Sequence, residues 1–290
     1  MKTKGLILIS VIAVMMSMMA CRFNLGLPRM DIGETIEENV ILPVIDPTKP
    51  NPLHIRMGAG NLNLVPGAIG LVDASIRYNV AGWQPVFDQV QNGYDIKQED
   101  AFKLSGIPSD KIINNWNLKA NSDVPLEVVI EAGAYKGSYD FSGLRLQNLE
   151  ITEGASESQI AFNSPNPESM EKFTFRTGAS SVEFSGLANA NFSQMSFLGG
   201  AGNYVFDFSG DLQKSVAVSI KSAVSAIKIV IPEGMTAQIE NHGNLKNIQS
   251  EGVWSVVDDT WTSSGSGPVL MIDLYLSLGS VTLIQGNAID

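Results

Sequence analysis

From Leu53 onward, short alternations of apolar and polar residues recur along the chain, and each runs into a glycine. The unit is apolar-x-apolar-x-x-Gly, usually followed by alanine. It reads LHIRMGA (Leu53, Ile55, Gly58), VVIEAGA (Val128, Ile130, Gly133), LEITEGA (Leu149, Ile151, Gly154), FTFRTGA (Phe173, Phe175, Gly178), MSFLGGA (Met195, Phe197, Gly200) and LYLSLGS (Leu274, Leu276, Gly279). Looser copies centre on Ser222 and Gly243, so the anchors 133, 154, 178, 200, 222 and 243 are spaced by 21, 24, 22, 22 and 21 residues. A fixed period of this size marks a repeat architecture. Alternation with period two predicts strands, and no helical period of 3.6 competes with it. Two or three short strands per repeat, with glycine at a bend, predict one rung of a β-solenoid. The expected fold is therefore all-β: a single-chain β-solenoid of stacked rungs of about 22 residues with an N-terminal β-rich subdomain. Stacking would line up Ile151, Phe175 and Phe197 inside. Glycine's tolerance of positive φ would serve the corner. Ala179 and Ala201 would keep it thin, making bulky residues there costly.

The stretch between Gly58 and Gly133 is different. Val72, Ala74, Ile76, Tyr78 and Val80 alternate with Asp73, Ser75, Arg77 and Asn79, the pattern of a half-buried antiparallel strand. Asn92-Gly93 is a hairpin signal, and SDKIINNW has the look of a helical turn. Residues 254–268 read as a polar loop or hairpin that interrupts the rungs, with a final rung from Leu274 to Ile284. The expected organisation is a leader at 1–20, a tether at 21–50 with Val40–Ile45 as an alternative strand, a β-rich subdomain at 51–125 and the repeats at 126–290.

The single cysteine changes the picture most. The chain opens MKTKGLILISVIAVMMSMMAC. Lys2 and Lys4 precede an apolar stretch from Gly5 to Met19, and Ala20 is a small residue directly before Cys21. That is the layout of a signal peptide, with the apolar run shorter than a spanning helix needs. Cys21 is the expected lipidation site and the membrane, through that lipid, the expected partner. An acylated Cys21 leaves no thiol for a disulfide, so the fold must rely on packing. The formal charge is −11, and removing the leader would leave 17 basic against 30 acidic groups. That balance disfavours nucleic acid, whose phosphates need clustered Lys and Arg.

Three segments carry a family resemblance: MGAGNLNLVPGAIGLVDASIRYNVAGWQPVFD, NNWNLKANSDVPLEVVIEAGA and FSGLRLQNLEITEGA. They resemble toast-rack proteins, with Trp116, Leu118, Val124, Pro125, Leu126, Gly133 and Ala134 standing where that family has its Trp-Leu, Val-Pro-Leu and Gly-Ala positions. The C-terminal half is similar to the C-terminal domain of LiaF-like proteins, the cell-wall-active antibiotic response family. The resemblance covers about residues 50 to 286 and implies a β fold. LiaF-like proteins restrain a sensor kinase in envelope-stress signalling, and related repeat domains occur in adhesins. Their membrane helices have no counterpart here, where a lipidated Cys21 would stand instead.

Catalytic chemistry is sparse. His54 and His242 each stand alone in the sequence and read as rung or surface residues. No zinc spacing, nucleophile elbow or phosphate loop is present, so no enzyme activity, metal or cofactor is expected. Asp258-Asp259 beside Trp254 and Trp261 is the one carboxylate-aromatic cluster that could serve a glycan. With Trp83, these residues make up the candidate partner surface. The expected function is a non-catalytic extracytoplasmic lipoprotein, lipid-anchored to the cell membrane, that presents its solenoid to an envelope protein or cell-wall polymer. An adhesin-like surface module, or a glycan-active enzyme using acidic residues on one solenoid face, is the alternative. Cys21→Ala should abolish labelling by radioactive palmitate and move the protein from the membrane to the soluble fraction; unchanged labelling and partition would rule the anchor out.

Overall fold

Each repeat forms one long strand with a corner in it. A computed structural model describes residues 32–99, 111–243 and 248–286; Cys21 and the leader lie outside them. The strands in chain order are β1 (Ile32–Leu42), β2 (Asn51–Pro66), β3 (Val72–Val80), β4 (Pro85–Val90), β5 (Gly93–Gln98), β6 (Asn114–Ala120), β7 (Pro125–Asp140), β8 (Arg145–Ala161), β9 (Met170–Ser185), β10 (Phe192–Asp207), β11 (Val216–Ile231), β12 (Thr236–Asn241), β13 (Ile248–Glu251), β14 (Ser255–Val257), β15 (Thr260–Ser263) and β16 (Val269–Gln285). Among the described residues there is no α-helix, only a 3₁₀ turn at Leu187–Ala190. The sheet runs β1-β3-β6-β2-β7-β8-β9-β10-β11-β16-β12-β15-β14, with β13 beside β16, and β5 beside β2 and β4. The all-β solenoid expected from the periodicity is the fold observed.

In β9, Phe173, Phe175 and Thr177 point inward before the glycine, and Val182 and Phe184 point inward after it. The alternation changes phase at Gly178-Ala179, so both arms of the strand deliver apolar side chains to one interior. Parallel, in-register pairing then lines up equivalent positions. Ile55, Ile130, Ile151, Phe175, Phe197, Ile220 and Leu274 form one buried file. Aromatic rings stack along such files, Phe175 on Phe197 at 5.7 Å and Phe184 on Phe206 at 5.1 Å. Each of these side chains contributes roughly 1.5–3 kcal/mol through burial. Buried asparagines tie together the loops that close the rungs: Asn166 Nδ2 donates to Leu146 O and Ala190 O, and Asn189 Nδ2 to Phe162 O.

The corner departs from expectation in two ways. Gly58, Gly133, Gly154, Gly178 and Gly200 stack in register, yet none has a positive φ. Their requirement is space. A Cβ on Gly178 would stand 2.6 Å from the Gly154 carbonyl oxygen, and one on Gly200 would stand 2.4 Å from that of Gly178. The next two rungs carry Ala223 and Ser277 at this position, not Ser222 and Gly279. Second, the alanine after the glycine faces outward. Ala179 and Ala201 are exposed, and the same file continues with Val224 and Leu278, 50% and 64% exposed. Bulk is tolerated there.

The ends correct several other expectations. The segment read as a tether contains β1, which pairs antiparallel with β3 from Ile36↔Tyr78 to Leu42↔Val72. Tyr78 Oη donates to Glu38 at 2.8 Å, and burial, helped by that carboxylate, pushes the Tyr78 pKa up to about 12. The β3 alternation is as expected, buried on one face between β1 and β6. The β4–β5 hairpin is also present, but its turn is Gln91-Asn92, with Gln91 at φ 47°. Gly93 is already in strand, where a Cβ would meet Pro52 O at 1.8 Å. From residue 111 on, the proposed helical turn is loop and then β6. Residues 254–268 do hold a hairpin, β14–β15. The last strand, β16, is not the last rung: it inserts between β11 and the split rung β12/β13. A ladder of the same kind joins β2 to β7, so the N-terminal part and the repeats share one sheet and one core.

Gly178→Val should cost about 1–3 kcal/mol or more through the forced shift of the Gly154 carbonyl, whereas Ala179→Leu should stay within about 0.5 kcal/mol. Chemical denaturation of the two variants separates these mechanisms; equal losses would mean the corner has no such seam.

Candidate functional site

The solenoid presents two strand-built outer faces, one from the arms before the corner and one from the arms after it. On the second face, side chains at alternate positions fall into files that cross the sheet at about 4.8 Å per strand. One file runs Asn39, Ser75, Asn117, Asn63, Ser138, Gln159 and Glu183. Beside it runs Glu37, Arg77, Asn115, Asn61, Lys136, Glu157, Ser181 and Asn203. Every one of these residues is exposed or half-buried. Asn61 Nδ2 donates to Asn115 Oδ1 at 2.6 Å, which orients both amides. The charges cancel in pairs, Lys136 with Glu157 at 2.7 Å and Arg77 with Glu37 at 3.8 Å. Small depressions mark this face, one over Asn61, Asn115, Lys136 and Gln159, another over Val40, Asn63, Ser75 and Lys119. The face offers amide and hydroxyl donors and acceptors on a regular grid, with two of its charge pairs neutralised and Glu183 exposed at the end of the first file.

Beneath it lies a buried polar cluster. Gly137 points inward and leaves room for Tyr135 and Tyr139, whose rings a Cβ there would strike at 2.9 and 2.8 Å. Tyr139 Oη donates to Tyr135 Oη at 2.9 Å, and Tyr135 Oη to Glu153 Oε2 at 2.7 Å. Ser158 Oγ donates to the same carboxylate at 2.7 Å, and Ser156 Oγ also donates to it. Burial raises the pKa of both tyrosines. Glu153 is 4% exposed, and its carboxyl oxygens accept from three hydroxyl donors. This is how a buried carboxyl group is accommodated among hydroxyl donors.

Of the partner residues expected from the sequence, Trp254, Asp258, Asp259 and Trp261 share the β14–β15 hairpin and its entry, while Trp83 lies elsewhere. Trp83 is buried at 5% exposure after a turn through Gly82 at φ 82°, so it belongs to the interior and not to a partner surface. Trp254 and Trp261 are half-buried and pack against the core from the β14–β15 hairpin. Trp254 Nε1 donates to Glu251 O at 2.9 Å. Asp258 and Asp259 are exposed in that hairpin's two-residue turn, with Asp258 at φ 51°, and Asp259 O accepts from Asn241 N at 2.9 Å. Each histidine meets a carboxylate on a neighbouring strand: His54 meets Glu131 at 3.2 Å and His242 meets Asp273 at 3.1 Å. Among the described residues no helix is long and apolar enough to cross a membrane.

Residues 32–184 match the N-terminal domain of toast_rack, DUF2154. The chain belongs to the toast-rack family. The match begins at β1 and ends inside β9, so it takes in the antiparallel end and the first full rungs. No curated protein matches the chain. Among solved structures, a cell-adhesion candidate from Clostridium sporogenes is 17% identical, with a TM-score of 0.48 over 87% of this chain and 100% of that one. An adhesin candidate from Bacteroides fragilis is 10% identical, with a TM-score of 0.35 over 86% and 97%. A lipid-binding candidate from Parabacteroides distasonis is 9% identical, with a TM-score of 0.33 over 90% and 100%.

Glu153→Ala should strand Tyr135 and Ser158 without an acceptor and lower stability by about 1–3 kcal/mol, while Glu157→Ala, on the exposed rim of the toast-rack face, should cost little. Thermal unfolding of both variants checks this, and an unaffected Glu153→Ala protein would show that the cluster holds nothing.

Proposed function

We propose that this toast-rack protein is a non-catalytic lipoprotein, held to the outer side of the cell membrane by a lipid on Cys21, whose second face binds an extended, uncharged envelope polysaccharide. The polar files of that face carry the reading. They repeat at the strand spacing, offer donors and acceptors in both directions, and present neutral pairs of charge. A polymer of repeated hydroxyl and amide groups can match such a grid over many strands without entering a cleft. The pairing of exposed carboxylates with Lys and Arg speaks against a glycosidase, which keeps two carboxyl groups apart for the sugar. The signal-peptide layout before Cys21 supports the location.

A second reading is favoured by one observation. Around the C-terminal rungs Leu198, Val224, Met271 and Leu278 are 51%, 50%, 45% and 64% exposed on the first face and the corner ridge. Exposed apolar residues gathered in one region suit a protein partner, and the LiaF-like resemblance of the C-terminal half fits a membrane signalling protein in that role.

Binding of the full chain in detergent to purified peptidoglycan and to surface polysaccharide tests the first reading. The double variant Asn63→Asp, Asn117→Asp places two carboxylates in the central file and should weaken binding at least tenfold with an unchanged circular dichroism spectrum. Equal binding by both proteins, or none by either, would end the polysaccharide reading. Recovery of one membrane protein by crosslinking in intact cells, lost in Leu278→Asp, would replace it with the second.

A further inference from the structure

Glu240, His242 and Asp273 converge on the first face, far from the polar files. Glu240 on β12 and Asp273 on β16 stand directly opposite in a parallel register. Carboxylates so placed repel each other. Three other acidic groups of this face meet a basic partner: Asp95 with Arg56, Asp88 with Lys97, Glu150 with Arg176. Neither Glu240 nor Asp273 forms an ion pair with a Lys or Arg of the described residues, and the group between them is His242. Its Nε2 is 3.1 Å from Asp273 Oδ1 and its Nδ1 is 3.6 Å from Glu240 Oε1. The ring is held by stacking on Tyr275, centroids 4.8 Å apart and planes at 17°. Lys221, the nearest cation along that file, sits 4.8 Å over the Tyr275 ring.

We propose that Glu240, His242 and Asp273 bind a divalent transition-metal ion of the zinc type. One ligand atom from each residue lies within 4.8 Å of the others. The separation of 3.1 Å between Nε2 and Oδ1 is about what two donors show when each lies roughly 2.0–2.2 Å from one ion. An imidazole with carboxylates is a donor set for zinc, copper(II) or nickel(II) rather than for calcium or magnesium, which take oxygen alone. Glu240 completes the shell or, through Nδ1–H, fixes the tautomer that frees Nε2. The ion relieves the carboxylate repulsion and joins the terminal rung β12 to the inserted strand β16.

The test is calorimetric titration of zinc chloride into the full chain in detergent after treatment with EDTA, with thermal unfolding followed in parallel. One zinc per chain is expected. His242→Ala and Asp273→Asn should each weaken binding by roughly tenfold or more and abolish the rise in melting temperature that zinc gives the unsubstituted chain. His54→Ala, which alters the other histidine-carboxylate pair, should change neither. Asp273→Asn keeps the size of the side chain, so it remains informative if His242→Ala disturbs the fold. Absence of saturable zinc binding, or equal affinity in the unsubstituted chain and Asp273→Asn, overturns the proposal.

Discussion

The in-register parallel ladder is the constraint on which the rest depends. Once β7, β8, β9, β10 and β11 pair residue for residue, every position of the repeat becomes a file running across the sheet. The file through Gly133, Gly154, Gly178 and Gly200 then lets each backbone sit against the carbonyl of the rung before it. The file through Ile151, Phe175 and Phe197 fills the interior. A residue is therefore judged by its file as well as by its own surroundings. Ala179 is replaceable because its file already holds Leu278; Gly178 is not, because its file is a column of close backbone contacts.

A ladder of this kind leaves open edges, and the two ends solve the problem alike. At each end a full-length strand carries a split rung: β5 and β6 on β2, β12 and β13 on β16. Antiparallel strands then close part of it, β4 and β3 at one end and β15 at the other. The outermost strands are blunted in ways that oppose further pairing. Exposed β1 carries Glu34, Glu37 and Glu38, and β14 is only three residues long.

Much of the fold was legible from local pattern because a repeat writes the same physics several times. Period-two alternation, glycine at a fixed spacing and the antiparallel face of β3 all follow from side-chain geometry within a few residues. Local pattern is silent where the reason lies in another rung. The corner glycines suggest backbone freedom when seen one repeat at a time, whereas their neighbours' carbonyls exclude a Cβ. Trp83 looked like a surface aromatic and is buried. The Asn and Ser residues of the second face give no local signal, since their alignment exists only across strands.

The sequence by itself determined that the chain is all-β, that it repeats about every 22 residues, that Ile151, Phe175 and Phe197 line up inside, and that Cys21 follows a signal-peptide pattern. Those properties reside in short stretches of chain. Tertiary structure decided the order of the strands at the ends, and with it which distant residues meet. Asp273 reaches Glu240 and His242 only because β16 leaves the order of the chain and inserts beside β12. Register between strands far apart in sequence depends on the packing of the whole stack, and no local pattern encodes it.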